Sequence, residues 1–281
     1  MALPLPWPFD REYMQLALIG GLVVGACAPL VGGFLVQRRM SLLGDGIGHV
    51  AFAGVAAGLL LGVWPIWTAL VAAVLAALGI EWLRARGRTS GDLALAVFFY
   101  GGIAAGAVIA SRATTLGRPA NVLPFLFGSI LTVTTADTVA VAVIGLVIVA
   151  TVAIAGRALL AVVVDEETAR VAGLPVDALN AALAVLTAVT VVAAMRVVGL
   201  LLVAALLVLP VATARLLARS FRSTMLTAVA VGVLSVVLGL GASRAWGLAP
   251  GGTIVLVTIA AFAVTSVARP STAVPASPHD H

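Results

Sequence analysis

Lysine is absent from this 281-residue chain, and cysteine occurs once. The first absence excludes a Walker A loop, which needs Gly-Lys-Ser or Gly-Lys-Thr, so the chain is not a P-loop ATPase by itself. The second excludes a disulfide framework and a cysteine-based zinc cluster; the lone Cys27 reads as a small buried hydrophobe inside an apolar run. Charged residues make up only 10% of the chain and aromatic residues 6%, against 62% hydrophobic residues and a mean hydropathy of +1.20. Soluble globular domains do not have this composition. No His-Glu-x-x-His occurs, and His49 is the one histidine within an apolar run, which disfavours an intramembrane zinc hydrolase. The net charge of +5 and pI near 10.9 suit nucleic acid in principle. The arginines, however, sit in short connections between apolar runs, where they orient helices, and no nucleic-acid partner is expected. The first ten residues hold three prolines and no basic segment, so a cleaved signal peptide is not expected.

Apolar runs of 18 or more residues recur along nearly the whole length, each long enough to cross about 30 Å of hydrocarbon as a helix. They lack the period-two alternation of a membrane barrel, and backbone groups in lipid must be satisfied internally, so an all-α, polytopic transmembrane helical bundle is expected. Spans are predicted at about 13–36, 41–62, 65–83, 92–111, 136–156, 179–197, 199–217, 224–242 and 252–268, nine in all, or eight if one segment is re-entrant. Placing the Arg38-Arg39 turn inside also places Arg84, Arg86, Arg88, Arg157, Arg170, Arg215, Arg219, Arg222 and Arg269 inside, and leaves Arg11, Arg112, Arg118, Arg196 and Arg244 outside. This asymmetry predicts an external N-terminal segment (1–12), a membrane domain (13–268) and a cytoplasmic tail (269–281). The tail is Pro/Ser/Ala-rich and reads as disordered; its His279-Asp280-His281 cluster reads as incidental.

Two connections are longer. The outer one, Ser111 to Thr135, contains Pro119, Pro124 and Phe125-Leu126-Phe127-Gly128-Ser129-Ile130, too apolar for a loop and too interrupted for a span, so a short helix packed at the outer surface is expected. The inner one, 157–177, holds Asp165-Glu166-Glu167 and Ala169-Arg170-Val171-Ala172-Gly173. Acids at its start and Gly173-Leu174-Pro175 at its end predict a capped cytoplasmic helix of two to three turns. Small-xxx-small pairs such as Gly54 and Gly58, or Gly102 and Gly106, predict helices whose backbones approach closely.

The chemistry concentrates in Arg38-Arg39-Met40-Ser41-Leu42-Leu43-Gly44-Asp45-Gly46-Ile47-Gly48-His49. Asp45 and His49 are spaced i, i+4 and share one helix face about 6 Å apart. Counting about 1.5 Å per residue from the arginines puts Asp45 roughly 9 Å and His49 roughly 15 Å into the membrane. Ionisable groups at that depth cost about 3 kcal/mol or more and face a water-filled path or a partner. An imidazole plus a carboxylate is a borderline donor set that suits zinc, manganese or iron(II), and two ligands make a transient site that releases an ion. The spacing alone is equally compatible with a pair that hydrogen-bonds to itself or to neighbouring helices and fixes packing. The interleaved Gly44, Gly46 and Gly48 fit either a close helix contact or room for an ion.

The stretch from Arg38 to Asp45, with His49 and Gly54, resembles the signature of the metal-type ABC importer permeases, the ZnuB/MntB-like family of zinc, manganese and iron uptake. Further stretches are similar in order: Gly91-Asp92 leading into Ala94 to Gly106; Leu126 to Leu131; Asp165 to Gly173; Val197 to Arg215; and Gly251 to Leu256. Together they span about residues 15–268. Gly48 stands where the family commonly has Ser or Ala, and Ala249-Pro250-Gly251 replaces its usual Ser-Gly approach to the last span. The resemblance implies a multi-pass permease in a bacterial inner membrane, working with a second permease copy, two ATPase subunits inside and an extracytoplasmic metal-binding protein. It implies no bound cofactor and no catalytic residue in this chain. It further implies that Asp45 and His49 line the ion path, and that Asp165, Glu166, Glu167, Ala169, Arg170 and Gly173 form the coupling helix that docks on the ATPase. Gly199 and Pro210 read as a hinge, because proline frees a carbonyl and weakens its helix locally, and equally as a static kink. An ion-coupled secondary transporter using Asp45 and His49 as a relay is the competing class; it leaves the acidic inner helix unexplained.

Overall fold

The structure is a computed structural model that describes residues 6–86, 91–118, 121–128, 133–195 and 198–268. Arg88, Pro119, Ser129 to Leu131, Arg196, Val197, Arg269 and the His279-Asp280-His281 tail lie outside the described residues. Eleven helices follow one another: α1 (Glu12–Gln37), α2 (Leu43–Leu61), α3 (Pro65–Ala85), α4 (Gly91–Thr115), α5 (Leu123–Phe127), α6 (Thr135–Val164), α7 (Glu166–Val171), α8 (Val176–Ala194), α9 (Leu200–Leu217), α10 (Phe221–Trp246) and α11 (Pro250–Ala268). Among the described residues, eight helices have the length and apolarity to cross a membrane, and α9 is the shorter ninth apolar helix, with Leu202–Leu217 as its scored stretch. The bundle is all-α and multi-pass, as its runs predict.

Burial separates inner from outer helices. The most apolar windows of α1, α2 and α8 are 61–67% buried, those of α4 and α6 only 22% and 17%. The latter two therefore present most of their surface to lipid or to a partner. The inner helices meet through glycine. A Cβ on Gly32 of α1 would lie 1.7 Å from the Leu207 carbonyl oxygen of α9, so only glycine permits this crossing. The same holds for Gly102 of α4, where a Cβ would lie 2.5 Å from the carbonyl carbon of His49. Both predicted small-residue pairs pack as expected, Gly54 and Gly58 on α3 and Gly102 and Gly106 on α2.

Helix ends differ from the sequence reading at two places. The fifth span does not stop near residue 156 but continues to Val164. Arg157 does not break the run, because an exposed arginine on an outer helix can carry its head to the interface while its stem stays apolar. The helix starts on a capping box, in which Thr134 Oγ1 accepts from the Asp137 amide at 3.2 Å and Asp137 Oδ2 accepts from the Thr134 amide at 3.0 Å. The inner connection consequently shrinks from 157–177 to the residues between Val164 and Val176, and its helix, α7, has six residues. The outer short helix is α5, which packs against α9 and α11.

Opposite ends of the bundle gather the two predicted groups of arginines. Arg38 and Arg84 meet at one end. At the other, Arg118 donates to the Leu60 carbonyl, and Arg244 pairs with Asp10 at 3.7 Å and donates to the Tyr13 hydroxyl.

Candidate functional site

The chain from Arg38 to Leu42 is a turn, and α2 begins at Leu43. Arg38, Arg39 and Met40 close α1: the Met40 amide bonds back to Leu35 and the Arg39 amide to Val36, the double bond of a Schellman end. The helical rise thus starts five residues later than a count from Arg38 assumes. His49 lies about 9 Å along α2, in its first third, and Asp45 lies in its first turn. The pair is nearer the arginine-rich end than the sequence suggests.

Both side chains are half-buried, and Asp45 lines a cavity of about 350 Å³ together with Leu42, Gly46, Leu95, Ala96, Phe99 and Tyr100. The imidazole of His49 meets the Phe99 ring edge-on at 4.3 Å, and Phe99 in turn meets Tyr100 at 5.2 Å. Among the described residues, neither Asp45 nor His49 hydrogen-bonds to a protein group. The pair does not tie α2 to a neighbouring helix by hydrogen bonds; Asp45 lines a space between α2 and α4, and His49 packs on the Phe99 wall of that space. Among the described residues no group of three or more His, Cys, Asp or Glu side chains converges, so one copy of the chain offers two donors.

The interleaved glycines serve helix contact. A Cβ at Gly44 would lie 2.6 Å from Leu207 Cδ1 of α9, whereas one at Gly48 would meet Leu200 and Val191 at an ordinary 3.7–3.9 Å. Gly48→Ala is therefore expected to fold with a stability within about 0.5 kcal/mol of the parent, or slightly above it because alanine favours helix. Thermal unfolding of the purified chain checks this.

The second group of expected residues forms α7. Asp165 caps it, accepting from the Thr168 amide at 3.0 Å and hydroxyl at 2.6 Å, and these bonds hold its carboxyl below the usual aspartate range. Gly173 closes it with φ +79°, the left-handed position of a Schellman end, with the Leu174 amide bonded to the Ala169 carbonyl. Ala169 is buried against Val162 and Val176, which seats α7 on the ends of α6 and α8. Glu167, Arg170 and the 90%-exposed Val171 face outward. Arg170 pairs with Asp177 at 2.9 Å, across the turn from α7 into α8.

Glu166, one of the expected coupling residues, is engaged with the bundle although its side chain is 38% exposed. It turns inward and accepts from Arg84 Nη2 at 3.3 Å and from Asn180 Nδ2 at 3.3 Å, with Arg38 Nη2 at 3.9 Å. Behind it sits Glu81 of α3, which sequence reasoning missed. Its carboxylate receives Arg38 in a two-pronged contact at 3.2 and 3.3 Å, and Arg84 at 2.8 and 3.2 Å. The Arg38 and Glu81 side chains are only 8% and 10% exposed. Two arginines that read as simple inside anchors are thus partners in a buried cluster joining the α1–α2 turn, α3, α7 and α8. The signal was present: an acid at the end of an apolar run, three residues before Arg84, is costly unless paired.

Gly199, one of the two expected hinge residues, begins α9 at φ +91°, and a Cβ there would lie 2.3 Å from the Phe127 carbonyl carbon of α5. Pro210 lies inside α9, where Thr213 Oγ1 donates to the Leu209 carbonyl at 2.8 Å.

A multi-pass helical bundle with two polar donors at a cavity between its helices, and a capped polar helix at the arginine-rich end, is the architecture of a membrane transport subunit. The chain belongs to the ABC 3 transport family, which it matches over residues 10–269. It is 31% identical to the manganese transport system membrane protein of Listeria monocytogenes, over 92% of this chain and 91% of that one. It is 30% identical to the high-affinity zinc uptake system membrane protein of Haemophilus influenzae, over 92% and 98%. Its fold superposes on a chain of PsaBC from Streptococcus pneumoniae, solved in complex with a Fab, with a TM-score of 0.81, 32% identity and 91% coverage of both chains.

Proposed function

We propose that the chain is the membrane-spanning permease subunit of an ATP-driven importer of a divalent transition-metal ion, with zinc first and manganese or iron(II) as the other members of the class. The observation that carries this reading is the pair Asp45 and His49, free of hydrogen bonds to protein among the described residues, with Asp45 lining the cavity between α2 and α4 and His49 packed on its wall residue Phe99. A carboxylate and an imidazole suit these metals, and a two-donor site binds weakly enough to release. Relatives named for manganese and for zinc support the class and leave the choice within it open. A second copy of the chain supplies the other half of the path, since one copy offers two donors. Gly199 and Pro210 serve as the points about which α9 moves. An extracytoplasmic metal-binding protein delivers the ion, and ATPase subunits drive opening.

The test is uptake of radioactive zinc or manganese by cells carrying this chain with and without its ATPase partner. Uptake that needs the partner supports the reading; uptake that persists without it favours an ion-coupled transporter.

The outward face of α7 is the docking surface for the ATPase. Because Glu166 is committed inward and Glu167 outward, the two are expected to separate in experiment. Glu167→Arg should lower ATPase co-purification by about tenfold, as a reversed rim charge does when it meets its former partner. Membrane insertion and thermal stability should stay at the parent level. Unchanged co-purification would remove α7 from the interface.

A further inference from the structure

The arginine-rich end carries two adjoining cavities, of about 320 and 410 Å³, that share Gln37, Val164 and Arg215. They lie between the ends of α1, α6 and α9 and the start of α10. Among the described residues, no carboxylate lines either one. Arg38 borders the larger cavity but is taken by Glu81. Arg39, Arg215 and Arg219 are different: among the described residues, none of the three makes an ion pair or a side-chain hydrogen bond. Arg215 lines both cavities, Arg39 the larger and Arg219 the smaller, so each wall carries two exposed guanidiniums without an acidic partner, a charge that an anion neutralises.

Two further observations point to an anionic ligand. The N-terminus of α10 opens onto the smaller cavity through Ser220 and Thr224, adding the positive end of a 26-residue helix. Arg39 stands at φ +60°, the only described non-glycine residue with a positive φ, at a helix-ending position that glycine fills most easily. A backbone conformation suited to glycine is here occupied by a long cation that reaches a cavity wall.

The geometry points to a phosphate-binding site, and we propose that its ligand is the phosphodiester of an anionic phospholipid headgroup. The surroundings favour a lipid because the walls beside the arginines are apolar, with Leu160, Val211 and Phe221, and because Val164, which lines both cavities and is 63% exposed, ends α6, a helix that presents most of its surface outward. Arginines at the headgroup level above an apolar wall match a phosphate above the start of its acyl chains. This site is separate from Asp45 and His49 and does not depend on what the chain transports.

The test titrates the purified full chain in detergent with dioctanoyl-phosphatidylglycerol, with dioctanoyl-phosphatidylcholine and with inorganic phosphate. Saturable binding of phosphatidylglycerol is expected, with little binding of phosphatidylcholine. Arg215→Gln/Arg219→Gln is expected to weaken it on the order of thirtyfold, at about fivefold per guanidinium. Arg157→Gln/Arg222→Gln, the same charge change at exposed arginines outside the cavities, should leave it within about twofold if the site rather than the summed surface charge holds the lipid. Inorganic phosphate binding with the same sensitivity to Arg215 and Arg219, and no preference for the lipid, would support the site and assign it to a soluble phosphate. Equal losses in both double variants would overturn the proposal. So would unchanged lipid binding accompanied by loss of ATPase co-purification in Arg215→Gln/Arg219→Gln, which would assign the arginines to an acidic protein surface.

Discussion

Asp45→Ala and His49→Ala are each expected to reduce metal uptake by about a hundredfold or more while leaving the protein folded. The magnitude follows from coordination: changes to groups that merely support a metal ligand already cost about 10–100-fold in affinity, so loss of a ligand itself costs at least the upper end. The preserved fold follows from the geometry. Neither side chain hydrogen-bonds to protein among the described residues, so removing one breaks no hydrogen bond and costs only the electrostatic contact between the two. His49→Ala loses its edge-on contact with Phe99, worth about 0.5–1.5 kcal/mol, and little else. Uptake of radioactive zinc and manganese, set beside the melting temperature of the same purified variants, separates the two possibilities. A packing pair would show the reverse pattern, with lowered melting and retained uptake. Full uptake by both variants would remove Asp45 and His49 from the ion path.

The bundle was legible in the sequence because membrane-spanning helices announce themselves by length and apolarity, properties that a count along the chain measures directly. Asp45 and His49 were legible for a related reason: polar groups stand out against 62% hydrophobic residues. Their position along the span was not, because it depended on where α2 begins, and the Schellman end at Arg39 that delays α2 to Leu43 requires a left-handed arginine that composition does not signal. The end of α6 was misplaced for a similar reason. Arg157 looked like a boundary, yet an outer helix tolerates it, and whether a helix is outer is decided by neighbours far away in sequence. Glu166 shows the limit most sharply. Glu166 and Glu167 are adjacent and chemically alike, and only the approach of Arg84 and Asn180, 82 and 14 residues away, draws one toward the bundle, 38% exposed, while the other faces outward.

Glu81→Ala is expected to be the most destabilising single change at the arginine-rich end, costing about 3–5 kcal/mol, the range for removing one member of a buried ion pair. Glu81 neutralises Arg38 and Arg84 together, and with the Arg38 and Glu81 side chains 8% and 10% exposed, water cannot take over its role. Glu166 remains, but its contact to Arg38 is 3.9 Å and it is shared with Arg84 and Asn180. For a chain of this size the cost corresponds to a melting temperature lower by about 10 °C. The cause can be separated from simple loss of volume. In Arg38→Leu/Glu81→Leu both partners of the pair become apolar, while Arg84 keeps Glu166 at 3.3 Å. Buried pairs replaced whole by hydrophobic residues are often neutral, so the double variant should melt above Glu81→Leu alone even though it carries one more substitution. A double variant that melts below the single one would mean that the cluster acts through packing, with charge compensation contributing little. If charge is what holds it, Glu81 and Glu166 together join the α1–α2 turn, α3 and α7 through Arg38 and Arg84, and a displacement of α7 is expected to reach the turn five residues ahead of α2 through Glu166 and Arg38.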